Sequence, residues 1–146
     1  MEIAPCTLAD LDDWAAMRAA LWPEEEWLRE QAEAMLTLPA AETTLNLIAR
    51  YRGAPAGFAE ATLRNDYVNG CEASPVAFLE GIYVHAEYRS NGIARALAEA
   101  VADWGRAQGC TEFASDALLD NADSHAFHAA IGFAETERVV YFRKTL

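Results

Sequence analysis

Apolar residues recur at two periods along the chain, and the switches between them lay out its elements. From Ile93 to Trp104, the residues Ile93, Ala94, Leu97, Val101 and Trp104 follow three- and four-residue steps, which predicts a helix with one buried stripe. Ahead of it, Phe78-Leu79-Glu80-Gly81-Ile82-Tyr83-Val84 is mostly apolar and bounded by turn residues, as a buried strand requires. Met1 to Cys6 predicts a first strand. Thr7, with Asp10 three residues on, is a good helix cap for Leu8 to Leu21. Trp22-Pro23 breaks that helix, and Pro23 opens a second one through Glu24, Glu25 and Glu26 to Leu38. Leu45–Tyr51 and Gly57–Leu63 read as strands joined across Arg52-Gly53-Ala54-Pro55, and Arg64 to Pro75 is a polar loop. A strand over Cys110–Ala117, a helix over Asn121–Ile131 and a final strand within Glu137–Leu146 complete the order β-αα-βββ-α-β-α-β. This is a mixed α/β pattern in one domain, residues 1–146.

Composition narrows the function classes. The net charge of −12 argues against nucleic acid, whose phosphates demand a basic footprint, and favours a cationic partner; surface solubility explains the acidity equally well at this point. No apolar run reaches the length of a membrane span, and the first residues are no signal peptide. The three cysteines, Cys6, Cys71 and Cys110, lack metal-ligand spacing, and their odd number suits a reducing, cytoplasmic compartment. No metal is expected. Cys110 sits in an apolar run and reads as a core residue, which argues against a covalent acyl-cysteine route.

Chemistry concentrates at a few positions. Arg89-x-x-Gly92-x-Ala94 falls at the predicted start of the long helix, where free N–H groups favour anions such as phosphates; an ordinary strand-turn-helix is the plain alternative. Glu80 interrupts an apolar strand and Asp116 closes another. An unpartnered carboxylate inside a sheet costs several kcal/mol, so each either meets a structural cation or opens onto a polar cleft that holds ammonium groups. Trp22, at a helix corner, is either a core cap or the aromatic wall of a cleft.

These motifs resemble the GCN5-related N-acetyltransferase superfamily. Arg89-x-x-Gly92-x-Ala94 matches its pyrophosphate signature, and Asn121-x-x-Ser124-x-x-Phe127-His128-x-x-x-Gly132-Phe133 looks like its second acetyl-CoA motif. A closer resemblance, to short aminoglycoside 6′-N-acetyltransferases, is carried by Asp66 to Gly70, Phe78 to Val84, Cys110 to Ala117 and Glu135 to Phe142. The resemblance implies acetyl-CoA as co-substrate, a kanamycin- or tobramycin-like acceptor, antibiotic resistance and a homodimer. It implies an acceptor site lined by Trp22, Tyr67, Glu80, Asp116 and Glu137. It places the cofactor against Ile82, Tyr83 and Val84 of a bulged strand, and against Arg89, Ser90, Asn91, Gly92, Ile93, Ala94 and Asn121.

Acetyl transfer requires an amine that has lost its proton, so a carboxylate serves as general base or holds the amine in line; Asp116 is the first candidate and Glu80 the second. A backbone N–H near Ile82 is the expected donor to the oxyanion. Many superfamily members carry a tyrosine general acid where this chain has His128. His128 is either a proton donor or structural, and Tyr141 is a substitute donor or a core strand residue. Two further readings compete with the aminoglycoside one: acetylation of another cationic amine, a polyamine or a peptide, and a non-catalytic acetyl-CoA-binding module.

Overall fold

The computed structural model describes residues 1–38 and 43–146. Five strands form one sheet in sequential order: β1 (Glu2–Pro5), β2 (Thr44–Tyr51), β3 (Ala54–Arg64), β4 (Val76–Val84) and β5 (Phe113–Ser115). The first four are antiparallel neighbours; β5 runs parallel to β4, as a strand returning through a helical crossover does. That crossover is α3 (Ile93–Ala107), whose stripe Ile93, Leu97 and Val101 packs on Leu47, Ala49, Ala59, Ala61 and Leu79. Helices α1 (Leu11–Leu21) and α2 (Leu28–Thr37) bring Trp14, Met17 and Ala32 to Ile48 and Phe58. Successive residues of β2 and β3 therefore serve separate cores, which is why both strands read as nearly continuous apolar runs. Helix α4 (Ala122–Ala130) follows β5 and is tied to α3 by Arg95 Nη2, which donates to the Ala130 carbonyl at 2.7 Å.

Local chemistry matches most predicted boundaries. Asp10 Oδ2 accepts from both the backbone N–H and the hydroxyl of Thr7, at 2.8 and 2.9 Å, and a short 3-10 turn over Leu8–Asp10 leads into α1. The hairpin between β2 and β3 turns on Arg52-Gly53, with positive φ at both, the geometry that matches strand twist.

Two expectations need correction. The second helix starts at Leu28, not Pro23: Trp27 takes a left-handed φ of 63°, which a right-handed helix cannot include, and Glu24–Glu26 stay in solvent as a like-charged turn. The final strand is not formed within this chain. Residues 133–146 have no regular structure, and Tyr141 and Phe142 are 84% and 93% exposed, because no sheet edge of the same chain lies against them.

A buried ion pair locks α1 to the sheet. Arg18 donates from Nε to Glu60 Oε1 at 2.6 Å and from Nη2 to Oε2 at 3.2 Å, while Trp14 Nε1 donates to Oε1 at 3.0 Å. Arg18 Nη1 also donates to the Leu28 carbonyl at 2.6 Å, which pins the start of α2. Burial pushes the Glu60 carboxyl above the usual range, against the opposing pull of Arg18 and Trp14. Arg18→Met, which strands the buried carboxylate, is expected to lower stability by about 3–5 kcal/mol in chemical denaturation. Because the folded value lies above the unfolded one, the charge costs stability as pH rises through the folded value, and losing the pull of Arg18 moves that value further up in the variant. The deficit of the variant should therefore be smaller at about pH 5 than at about pH 8. An equal deficit at both would contradict this account.

Candidate active site

The pairing of β4 with β5 lasts three rungs, Ala77 with Phe113, Phe78 with Ala114 and Leu79 with Ser115; beyond these no pair joins the strands. On its other side β4 carries one residue more than β3: Gly81 pairs with Glu60, Leu79 with Ala61, and Glu80 is the bulged residue between them. Glu80 and Asp116 each follow the last rung directly, so the two predicted acids stand at the two lips of the opening where the strands part. The strand expected to bulge does so at Glu80, and the β5-facing edge of β4 has no strand partner from there through Val84.

The acids have different surroundings. Arg64 pairs with Glu80 at 2.9 Å, and Thr62 donates to Glu80 at 2.6 Å. Asp116 is exposed and has no ion pair or side-chain hydrogen bond among the described residues. Trp22 caps α1 and packs against the bulge: a Cβ on Gly81 would fall 2.5 Å from its ring, so only glycine permits this approach. The Trp22 ring meets Phe58 edge-on at 6.1 Å, and the Arg18 guanidinium sits 5.2 Å from its centre. It is thus partly core, keyed to the buried ion pair, and partly open. Tyr67, 74% exposed, rises from the loop between β3 and β4. Thr136 lies against Gly70 of that loop, and the neighbouring Glu137 is exposed.

Across the opening, Gly92 precedes α3 with φ +75° and open space around its Cα. The first-turn N–H groups of α3 have no partner within the helix and face outward. The loop before them is held from within. Arg89 Nε donates to the Val84 carbonyl at 3.0 Å, and Asn91 Nδ2 donates to the carbonyls of Tyr88 and Arg89. Tyr51 donates to Asn91 Oδ1, and Ser90 adopts a positive φ of 65°. Ile93 is buried and Ala94 packs partly against the core, so the backbone at these two positions, not the side chain, faces a ligand. A groove of about 430 Å³ runs from Gly92 and Arg95 along α3 to Phe113, Gly132 and Phe133. Open amides at a glycine-capped helix fit the diphosphate of acetyl-CoA. Tyr83 turns its ring to Phe58 and His85 and lies opposite Phe58 in the pairing with β3, so the backbone groups of its neighbours Ile82 and Val84 are the ones on the open edge. Asn121 Oδ1 caps α4 by accepting from the Ser124 N–H at 3.1 Å, which leaves its Nδ2 group available.

His128 is held at both ring nitrogens. Nδ1 lies 2.7 Å from the Ser124 carbonyl, which only accepts, so this nitrogen carries a proton; Nε2 lies 2.8 Å from Ser115 Oγ. Ser115 stands at the last rung, 3.3 Å from the Leu79 carbonyl. Sequence reasoning missed Ser115, Thr62 and Arg64. A signal existed for two of them: Glu60-x-Thr62-x-Arg64 puts polar groups on one face of an otherwise apolar strand. Tyr141 is neither a core strand residue nor near a partner in this chain. Among the described residues, no cluster of three or more His, Cys, Asp or Glu is placed to hold a metal ion, and no helix is long and apolar enough to cross a membrane.

Comparison with known proteins agrees with this geometry. Residues 12–133 match the model of the Acetyltransferase (GNAT) family. Two relatives named aminoglycoside N(6′)-acetyltransferase type 1 are 49% identical to the chain. The one from Serratia marcescens aligns over 99% of both proteins, and the one from Acinetobacter baumannii over 100% of this chain and 99% of its own. Among solved structures, AAC(6′)-Iy in complex with the bisubstrate analogue CoA-S-monomethyl-acetylneamine superposes with a TM-score of 0.90 at 40% identity, over 99% of this chain and 98% of that one. AAC(6′)-Ih from Acinetobacter baumannii reaches 0.91 at 46% identity, with the same coverage. Strands that part beside a glycine-capped helix, together with a full-length match of this strength, make the chain a member of the GNAT acetyltransferase family.

Proposed function

We propose that this protein transfers the acetyl group of acetyl-CoA to the 6′-amine of aminoglycosides of the kanamycin and tobramycin type, by direct attack in a ternary complex, and so confers resistance. The carrying observation is the meeting of two unlike surfaces at one opening: acids at its lips and outward amides at the start of α3. The names of the full-length relatives support the acceptor class. A polycation is attracted to a chain of net charge −12, and Trp22 and Tyr67 offer flat apolar surface to a sugar ring.

Acetyl-CoA supplies the acetyl group as an activated thioester. Asp116, unpaired and exposed, holds the amine and takes its proton directly or through water. The open edge of β4 around Ile82 turns backbone N–H groups toward the oxygen on which charge develops. The Ser115–His128 pair stands where β4 and β5 part. The protein is proposed to work in the cytoplasm without nucleic acid, membrane or metal. It is proposed to do so as a homodimer: the apolar run Val139, Val140, Tyr141 and Phe142 is exposed in one copy, and a second copy offers the sheet edge it lacks.

A thiol-release assay with acetyl-CoA tests the reading. Saturable release with tobramycin and kanamycin, not with spermidine or a short peptide, is expected; Asp116→Asn should lower kcat/KM for the aminoglycoside by about 100-fold or more. Turnover of spermidine or peptide alone would overturn the acceptor assignment, and acetyl-CoA binding with no turnover would leave only a binding module. Gly92→Val forces a branched side chain into positive φ and should raise the KM for acetyl-CoA about tenfold while the aminoglycoside KM holds. For the assembly, Val140→Asp with Phe142→Glu should convert a dimer into a species of one 16.0 kDa chain in sedimentation. A wild-type protein already at that mass would contradict the homodimer.

A further inference from the structure

The Glu80 carboxylate is both aimed and matched in charge. Thr62 Oγ1 donates to Oε1 at 2.6 Å, and Arg64 donates to the same oxygen from Nε at 3.3 Å and Nη2 at 2.9 Å. These three donors exhaust the acceptor directions of Oε1. Oε2 meets Arg64 Nη2 alone, at 3.0 Å, and keeps one direction free. The guanidinium is fixed in turn: its central carbon sits 3.5 Å over the ring centre of Phe78, which is buried under Val68 and Val76. Both side chains of the pair retain exposure, 37% for Arg64 and 31% for Glu80, so the pair is reached by solvent.

We propose that Arg64 and Glu80 form one electrically neutral unit that accepts a hydrogen bond from an uncharged ring hydroxyl of the acceptor, while Asp116 takes the amine. The inference rests on the aminoglycoside reading above and assigns different chemistry to its two acids. An ammonium group brought to Oε2 would also approach the guanidinium bonded to that oxygen, and like-charge repulsion would offset its attraction to the carboxylate. A hydroxyl carries no charge and needs only the free acceptor direction, which Arg64 and Thr62 hold in place. Asp116 has no such counter-cation, so a positive group gains the full interaction there. Arg64 is thus a positioning residue that acts through Glu80.

The test crosses protein variants with acceptors. Wild type and Glu80→Ala are assayed with a parent aminoglycoside and with analogues that each lack one ring hydroxyl. For one analogue, wild type should lose about tenfold in kcat/KM relative to the parent, whereas Glu80→Ala should treat the two alike within about twofold. A second measurement uses charge. Glu80→Gln leaves Arg64 uncompensated before a cationic acceptor and should raise acceptor KM about tenfold, and adding Arg64→Met should recover threefold or more of that loss with the acetyl-CoA KM unchanged. The proposal is overturned if every deoxy analogue loses the same factor in both proteins, or if the double variant binds acceptor worse than Glu80→Gln alone. Wild-type turnover of the parent compound separates the two levels. Its absence sinks the aminoglycoside reading and the hydroxyl assignment with it, and its presence with additive losses sinks only the latter.

Discussion

The site depends on one mismatch between strands. β4 carries one residue more than β3, and the extra residue is Glu80. A bulge sharpens local twist and turns the strand away from its neighbour. On the far side of β4 the pairing with β5 stops at the same level, after Leu79 and Ser115. The opening that follows exposes the β4 backbone on one edge and places an acid on each lip. It also faces α3, because the chain leaves β4 and enters that helix through Gly92. A sheet with uninterrupted pairing here would have no place where a donor thioester and an acceptor amine meet.

Two ion pairs, one from helix to strand and one between strands, flank the bulge, and they act differently. Arg18–Glu60 is buried, joins α1, α2 and β3, and holds Trp22 against Gly81. Its contribution is registry: removing one partner is costly because the other remains charged in the interior. Arg64–Glu80 is open to solvent, so as a surface pair it adds little to stability and acts instead on what can bind. Glu60, Thr62 and Arg64 alternate along one face of β3, and the same stretch of strand therefore supports the wall of the site and tunes its charge.

Much of this was legible in the sequence because it is local. The Thr7–Asp10 cap, the Arg52-Gly53 turn, the stripe of α3 and the glycine before it all depend on residues within a few positions of one another. Glu80 and Asp116 were legible as polar interruptions of apolar strands. What failed was non-local. Arg18 and Glu60 are 42 positions apart, and nothing in either segment names the other. The start of α2 follows from that contact and from the backbone turn at Trp27, not from Pro23. The final strand is legible as an apolar run from Val139 to Phe142, but a strand needs a partner, and none of the sheet's edges lies against this segment. The choice between acids was hidden as well, since it depends on Arg64 reaching across from β3.

The central claim is that the opening between β4 and β5 is where acetyl-CoA lies. Amide hydrogen exchange on the whole protein, with and without acetyl-CoA, tests it most directly. The account predicts slowed exchange at Ile82 and Val84 on the open edge and at Gly92 to Arg95 at the start of α3, with α2 unchanged. Protection confined to α1 and α2, or none at the β4 edge with acetyl-CoA bound, would contradict it.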